Sequence, residues 1–186
     1  MYLVVGLGNP GPKYASHRHN VGFMVVTLLG RRWGAPAFRE KFKGLFSRAF
    51  HAGEDVVLLQ PMTYMNLSGE SVRPAMDFFK VPLDRVLVVH DELDLRFGTC
   101  RLKVGGGAAG HNGLKSVTQH GGGNGYLRLR MGIDRPKAQR PESYVLSDFS
   151  ASERAELPDL LERAGDMVES VIADGVEPAM NRWHTK

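Results

Sequence analysis

The sequence predicts one α/β domain, in which a mixed, twisted β-sheet is flanked by α-helices. Three observations predict this class. Short apolar, β-branched runs alternate along the chain with longer segments of helical periodicity, and two of these runs are joined by a turn suited to an antiparallel hairpin. The chain has 186 residues, a length that a single hydrophobic core can serve. We therefore expect residues 1–186 to form a single domain.

The first third of the chain predicts a strand, a helix and a hairpin. Residues 2–6, YLVVG, form a short apolar run that ends in glycine, which is typical of a buried strand. Apolar residues recur at helical spacing over 20–33, so this segment is predicted to be a helix. The segments 44–53 and 54–61 predict two antiparallel strands, because the connection Ala52-Gly53-Glu54 favours a turn.

The middle of the chain predicts a second helix and a central strand. Ser68 or Ser71 is expected to cap a helix that runs to Phe79, and Pro74 inside it indicates either the later cap or a kinked start. The continuous apolar run 85–90, RVLVVH, predicts a strand that is buried on both faces.

The last third predicts two strands and two helices. Residues 99–104 alternate as a half-buried strand does, and a glycine-rich loop then opens into a short helix near 112–119. Residues 126–133 alternate as a further strand. An apolar stripe from Leu157 onward predicts a long C-terminal helix, and Pro158 is expected to separate its first turn from the rest. A capping box should begin this helix, formed by Ser150 and Glu153.

Composition narrows the class of protein. Hydrophobic residues make up 42% of the chain and charged residues 24%, which is ordinary for a globular protein. The single cysteine cannot pair within the chain and the N-terminal segment lacks the pattern of a secretion signal, so we expect a cytoplasmic protein. No apolar run approaches the roughly 20 residues that cross a bilayer. The net charge of +4 weakly favours a polyanionic partner such as nucleic acid.

The segment Gly6–Gly11 matches the GxGxxG pattern of a dinucleotide-binding loop, and it directly follows a predicted strand. However, Pro10 and Pro12 stiffen the segment, and the helical pattern begins only near Asn20, so the spacing between loop and helix is wrong for a pyrophosphate site. A turn that ends the strand is therefore favoured over a nicotinamide site.

His19 stands between this loop and the first helix, where a polar side chain can face a cleft. Its imidazole can take a proton near neutral pH, although a lone histidine before a helix is more often a cap or surface residue. Asp91 follows the buried strand and can orient a histidine ring. A metal site formed by His90 with the acids Asp91, Glu92 and Asp94 is the alternative, and we favour it less because no companion ligands stand at metal-binding spacing.

Two asparagines, Asn66 and Asn112, stand in loops that lead to helices, where an amide can hold a substrate carbonyl or simply cap a helix. Four basic residues stand at strand spacing and can present a surface for phosphate, although solvated strand faces also carry such residues. We call them the cationic strip: Arg101, Lys103, Arg128 and Arg130.

Taken together and in this order, the segments resemble the bacterial peptidyl-tRNA hydrolase family. The resemblance extends from Tyr2 to about Phe149, and its motifs are GLGNPG, Tyr14, HNVG, PMTYMNLSG, HDELDL, GGGAAGHNGLKS and RLRMGI. The departures, an Ala108-Ala109 pair in the glycine loop and a short end at Lys186, concern loops and tail rather than chemistry. The resemblance implies a phosphorylase/hydrolase-like fold and a monomer without cofactor, metal or obligate protein partner.

The activity implied by the resemblance is hydrolysis of the ester that joins a peptide to the terminal ribose of tRNA. His19 would be the general base that activates water, Asp91 would support it, and Asn9 matches the position linked to a blocked rather than free α-amino group. The implied substrate contacts are Tyr14, Tyr64, Met65, Asn66 and Asn112, and the implied phosphate-binding pair is Lys103 and Arg130.

Two other functions compete with this prediction. One is a non-catalytic RNA-binding protein of the same fold, against which the retention of His19 and Asp91 argues. The other is a nicotinamide-dependent oxidoreductase built on Gly6–Gly11.

Overall fold

The computed structural model describes residues 1–184, so the last two residues of the predicted domain, with the chain end at Lys186, lie outside the described residues. Within that part of the chain, seven strands form one sheet in the order β2-β3-β4-β1-β5-β7-β6. The strands are β1 (Tyr2–Gly6), β2 (Arg39–Lys41), β3 (Gly44–His51), β4 (Glu54–Pro61), β5 (Val86–Glu92), β6 (Cys100–Val104) and β7 (Leu127–Gly132).

The sheet is mixed, as the sequence predicts. β1 pairs in parallel with β4 and β5, and β5 pairs in parallel with β7. The outer pairs β2–β3, β3–β4 and β6–β7 are antiparallel, and β3–β4 is the predicted hairpin. Because the carboxyl ends of β1 and β5 lie side by side, the loops that follow them meet at one edge of the sheet.

Helices cover both faces of the sheet. They are α1 (Val21–Arg32), α2 (Gly69–Phe79), α3 (Asn112–Gly121), α4 (Pro141–Val145), α5 (Ala151–Asp174) and α6 (Val176–Trp183). Alternate residues of β1 face opposite cores: Val4 packs with residues of α1 and α5, and Val5 packs with residues of α2 and α3. Each core consists mainly of Val, Leu and Met side chains that are almost fully buried, so the sheet is apolar on both sides.

Glycines allow α1 to approach the end of β1 very closely. A Cβ atom on Gly6 would lie 2.1 Å from the carbonyl oxygen of Gly22, and one on Gly8 would lie within 3 Å of the Phe23 ring. The first glycines of the GxGxxG match are therefore explained by helix packing. The chain after Gly11 forms turns and a short 3-10 helix, Arg18–Asn20, rather than a helix that starts at the loop, which argues against a pyrophosphate site.

The structure corrects two details of the predicted helices. α5 runs without a break through Pro158, because this proline lies on the exposed face, where water can solvate the freed carbonyl group of Arg154. Ser68 occupies the N-cap position of α2, but its hydroxyl makes no capping hydrogen bond, and Ser71 lies inside the helix. The Ser68 hydroxyl donates to the carbonyl oxygen of Met65 instead, because α2 begins directly from a 3-10 turn at Met65–Leu67.

Three elements were not predicted: β2, α4 and α6. β2 has three exposed residues and no apolar alternation, and α4 has only five residues, so neither gives a periodic signal. The predicted capping box of α5 is confirmed, since Ser150 and Glu153 bond each other's backbone N–H groups. In the described part of the chain, no helix combines the length and apolar character that crossing a membrane requires.

Candidate active site

A cavity of about 500 Å³ opens where the loops after β1 and β5 meet the loop before α3. Most of the predicted site residues line it together, although they come from distant parts of the sequence. These residues are Asn9, His19, Tyr64, Met65, Asn66, Asp91 and Asn112. The predicted meeting of an imidazole from the N-terminal third with a carboxylate from the middle of the chain is thus present in the structure.

Asp91, at the end of β5, bonds two histidines at once. His19 Nδ1 lies 2.8 Å from Asp91 Oδ2, and His111 Nε2 lies 2.9 Å from Asp91 Oδ1. The carboxylate is buried, whereas the two rings are partly exposed at the cavity. We call these three side chains the imidazole–carboxylate network. His111 belongs to the motif GGGAAGHNGLKS, but the sequence predicts no role for it.

The network fixes the tautomer of both rings. Burial alone raises the pKa of the Asp91 carboxyl, but His19 and His111 outweigh burial and hold that pKa well below its ordinary value of 3.8. Asp91 is therefore ionised and can only accept hydrogen bonds. His19 must donate from Nδ1, which leaves its Nε2 lone pair free, and Nε2 has no hydrogen-bond partner among the described residues.

The second ring is fixed from both sides. His111 Nδ1 accepts the backbone N–H groups of Gly113 and Leu114 at 3.1 and 3.3 Å, so this imidazole is the N-cap of α3. Its proton must therefore be on Nε2, where it is donated to Asp91. His111 thus orients the carboxylate and ties it to the start of α3.

Burial and charge act in opposite directions on His19. Burial lowers the pKa of this imidazole, but the charge of Asp91 and the hydrogen bond to it outweigh burial, so the pKa lies above the ordinary 6.5. Raising the pKa makes Nε2 a stronger base when it is unprotonated. The arrangement suits a group that takes a proton from water and holds it as a cation.

A metal ion does not fit this cluster as it is bonded. Possible ligand atoms of His19, Asp91 and His111 lie within 4.8 Å of one another. The fold thus brings two histidines to Asp91 that their spacing in the sequence did not predict as metal ligands. However, His111 Nε2 carries a proton and has no lone pair for a metal while Nδ1 accepts two backbone N–H groups. The donor chemistry of the three residues is therefore that of a hydrogen-bonded network.

The alternative metal set around His90 does not assemble either. His90 Nδ1 bonds the carbonyl oxygen of Asp91, and burial together with nearby His111 lowers the pKa of His90 to about 3. Glu92 bonds Arg130, and Asp94 bonds Arg135. Each acid of this segment is thus committed to a different partner.

Asn9 links two loops at the cavity. Its side-chain Oδ1 accepts the backbone N–H of Met65 at 2.7 Å, and its backbone N–H and carbonyl oxygen both bond the amide of Asn20. Because Oδ1 faces a donor, the orientation of the amide is fixed, and the Nδ2 donors remain for a ligand. Asn66 and Asn112 are exposed at the cavity, while Tyr64 contacts Tyr14 edge to face with ring centroids 6.4 Å apart.

The cationic strip is divided by the fold. Arg128 is only 2% exposed, and its guanidinium donates to the carbonyl oxygens of Gly106 and Gly107 at 2.5 and 2.6 Å. It is therefore unavailable to a phosphate, which corrects the prediction for this residue. Lys103 is exposed, and Arg130 is partly exposed and paired with Glu92 at 3.1 Å; neither lines the cavity.

Comparison with known proteins identifies the family. Residues 3–186 match the sequence profile of a family described as Peptidyl-tRNA hydrolase. A peptidyl-tRNA hydrolase of Sorangium cellulosum is 58% identical over 189 residues, which cover 100% of this chain and 85% of that protein. The chain belongs to the peptidyl-tRNA hydrolase family. A peptidyl-tRNA hydrolase of Frankia casuarinae is 52% identical and aligns over 98% of this chain and 93% of its own.

The fold also agrees with that of the peptidyl-tRNA hydrolase family. The crystal structure of peptidyl-tRNA hydrolase from Acinetobacter baumannii matches with a TM-score of 0.92 at 41% identity, over 98% of this chain and 93% of that one. The predicted resemblance and fold class are confirmed. Membership of the peptidyl-tRNA hydrolase family supports the predicted enzyme over the non-catalytic RNA-binding alternative.

Sequence reasoning missed one wall of the cavity as well as His111. Four residues of α4 and the position after it line the cavity, although none of them belongs to a motif identified in the sequence: Pro141, Glu142, Val145 and Leu146. A signal for His111 was present, because a polar residue directly before a helix is a candidate N-cap. No comparable signal marks α4, whose place at the cavity depends on tertiary contacts with the N-terminal part of the chain.

Proposed function

We propose that this chain hydrolyses the ester bond between peptide and tRNA in peptidyl-tRNA, and so recycles tRNA after premature release from the ribosome. The single observation that carries this proposal is the bonding of His19, whose Nδ1 donates to Asp91 while Nε2 has no partner within residues 1–184 and lies at a cavity lined by asparagines. Membership of the peptidyl-tRNA hydrolase family supplies the substrate class.

The proposed reaction needs one base and one water molecule. His19 Nε2 takes a proton from water as the water oxygen attacks the ester carbonyl carbon, and Asp91 stabilises the resulting imidazolium. The tetrahedral intermediate then breaks its bond to the ribose oxygen, and the imidazolium returns the proton to that oxygen. The products are the free peptide acid and tRNA with its terminal hydroxyl group. An ester needs less activation than an amide, so no covalent nucleophile is required.

The remaining predicted residues are proposed to position the substrate. Asn9 offers its Nδ2 donors to the peptide next to the base, and its Oδ1 cannot take this role because it accepts Met65 N–H. Exposed Asn66 and Asn112 offer amides for the ester carbonyl and its developing oxyanion. The aromatic and thioether contacts are proposed at Tyr14, Tyr64 and Met65.

Phosphate binding is proposed for Lys103 and Arg130 at the edge of the sheet. β6 and β7 are paired so that Lys103 lies opposite Arg128 and Arg101 lies opposite Arg130. Lys103 is exposed, whereas Arg130 must leave or share Glu92 to take a phosphate. We further propose that residues 1–186 act as one domain in the cytoplasm, as a monomer without cofactor, metal or obligate protein partner.

The test is release of the N-acetyl-aminoacyl group from N-acetyl-aminoacyl-tRNA, compared with release from the free-amine counterpart. We expect turnover of the blocked substrate and much slower turnover of the free one, because Asn9 lines the same cavity as His19 and its Nδ2 donors are proposed to bind a blocked amino group. Binding of the blocked substrate without turnover would instead support a non-catalytic RNA-binding protein. Saturable micromolar binding of NADH or NADPH would support the oxidoreductase.

A further inference from the structure

Arg18 is a buried cation that the proposed reaction does not use. It lies directly before His19 in the 3-10 helix Arg18–Asn20, and only 7% of it is exposed. Its Nη1 donates to Ser147 Oγ at 2.5 Å, and its Nη2 donates to the Glu153 carboxylate at 2.8 Å. Because a buried charge is stable only when it is paired, these partners indicate what Arg18 holds in place.

The guanidinium of Arg18 also stacks on aromatic rings. It lies 4.0 Å from the centroid of Tyr144, in α4, and 5.7 Å from that of Phe149. Tyr144 is itself anchored, since its hydroxyl donates to the carbonyl oxygen of Ile133 at the end of the sheet. One side chain thus contacts α4, the connection after it and the first turn of α5.

Further hydrogen bonds join the segment before His19 to the segment that follows α4. The Arg18 N–H donates to the carbonyl oxygen of Ser147 at 3.0 Å, and His17 forms an isolated antiparallel bridge with Asp148. The Ser16 hydroxyl donates to the Asp148 carboxylate at 2.7 Å. The segment that leads to His19 is therefore paired with the segment that follows α4.

α4 and the residue after it form a wall of the catalytic cavity, which we call the α4 wall: Pro141, Glu142, Val145 and Leu146. We propose that Arg18 is a positioning residue, which fixes the α4 wall relative to the segment that carries His19. The inference rests on the proposed function, because the wall matters to catalysis only if the substrate lies in this cavity.

The contacts predict which kinetic constant changes. The α4 wall contributes no side chain to the imidazole–carboxylate network, and His19 is held by Asp91 rather than by Arg18. A displaced wall should therefore weaken binding of the ground state and the transition state alike, which raises KM and leaves kcat nearly unchanged. A loss confined to folding would lower the amount of active enzyme without moving KM.

The first test compares Arg18→Met and Arg18→Lys with a matched control, Arg32→Met. Arg32 also joins the N-terminal part of the chain to α5, through Glu162 and Glu169, but it does not line the catalytic cavity. With N-acetyl-aminoacyl-tRNA, we expect KM to rise about tenfold in Arg18→Met, which corresponds to a loss of about 1.4 kcal/mol of binding shared by the ground state and the transition state. The rise should be smaller in Arg18→Lys and absent in the control. An unchanged KM in Arg18→Met, or an equal rise in Arg32→Met, would overturn the inference.

The second test needs no substrate, and therefore separates failure of this inference from failure of the proposed function. Hydrogen exchange of backbone amides over residues 141–149 should accelerate in Arg18→Met and not in Arg32→Met. If wild-type enzyme showed no turnover, the proposed function would fail, while this measurement would still decide the role of Arg18. Equal exchange in wild type and Arg18→Met would reject that role.

If Arg18→Met does not fold, Ser147→Ala removes one hydrogen-bond acceptor of the guanidinium, and Glu153→Gln removes the negative charge with which it pairs. Glutamine at position 153 can still complete the capping box with Ser150, so α5 keeps its start. We expect both variants to raise KM and to accelerate exchange over 141–149 in the same direction, by less than Arg18→Met. Wild-type behaviour of both variants would contradict the proposal.

Discussion

The imidazole–carboxylate network and the cationic strip both consist of polar side chains, but the fold gives these side chains different hydrogen-bond partners and different exposure. In the network, every nitrogen and oxygen that faces another member is paired, and only His19 Nε2 is left without a partner among the described residues. In the cationic strip, Arg128 is buried and donates hydrogen bonds to the glycine loop, whereas Lys103 is exposed. The comparison teaches that residue type and spacing locate a polar group, whereas its partners decide what it can bind.

The reason for this difference lies in the backbone around each group. The loop Gly105–Gly107 includes backbone at positive φ and exposes carbonyl groups that need donors, and Arg128 supplies them from β7. Asp91 instead receives its donors from two imidazoles, so its charge is shared between them. One region is therefore a support for a loop, and the other is a preorganised proton acceptor.

The largest expected effect concerns the network. His19→Ala should lower kcat for N-acetyl-aminoacyl-tRNA by roughly a thousandfold, as expected for loss of a general base, while tRNA binding survives. His51→Ala is the matched control, because His51 pairs with Glu169 away from the catalytic cavity. Rates like those of wild type in the His19 variant would reject this residue as the base.

The division of the cationic strip predicts a contrast in stability. Arg128→Met should lower the free energy of unfolding by about 2 kcal/mol, because it removes the charge-assisted hydrogen bonds that the buried guanidinium donates to the Gly106 and Gly107 carbonyl groups. Lys103→Met should change it by less than about 0.5 kcal/mol, as exposed substitutions do. Chemical denaturation of both variants measures the difference, and equal losses would show that the strip is not divided as described.

The same two strands predict a contrast in salt dependence. Lys103→Ala should reduce the slope of log binding constant against log salt concentration by about 1, which corresponds to one phosphate contact. Arg130→Ala should reduce it by less, because Glu92 already neutralises part of this charge. Measuring substrate binding in the His19→Ala background avoids turnover. Unchanged slopes in both variants would count against phosphate binding here.

The smallest expected effect is a displacement of the pH profile. The pKa of His19 is raised above 6.5, so a higher pH is needed to free Nε2, and the acid limb of kcat/KM should have its midpoint above 6.5. In Asp91→Asn the carboxylate charge is removed, and the midpoint of the residual activity should move to lower pH. A midpoint that stays in place would mean that Asp91 does not set the pKa.

The sequence predicted most of the fold because its strands and long helices carry clear periodicity. The runs at β1 and β5 and the apolar stripe of α5 each indicate their element directly. β2 and α4 were missed because they are short and depend on tertiary contacts. Pro158 was overinterpreted, since an exposed proline can remain within a helix whose other face is well packed.

The site was predicted in part for similar reasons. His19 lies in the connection between β1 and α1, and Asp91 lies at the end of β5. Both match family motifs, and the structure brings them within hydrogen-bond distance. The contacts of His111 and Arg18 were not predicted, because each residue bonds a partner far away in sequence, Asp91 for one and Glu153 for the other. The burial of Arg128 was likewise hidden, because strand alternation does not reveal that a loop covers the face.

The proposed mechanism requires that Asp91 hold the proton of His19 on Nδ1, so that an unprotonated Nε2 faces the cavity. Heteronuclear NMR of the imidazole nitrogens tests it most directly, at a pH above the pKa of His19 and without substrate. We predict a protonated Nδ1 and an unprotonated Nε2 for His19, with the opposite tautomer for His111. A proton on Nε2 of neutral His19 would show that Asp91 does not fix this tautomer and would reject His19 Nε2 as the base.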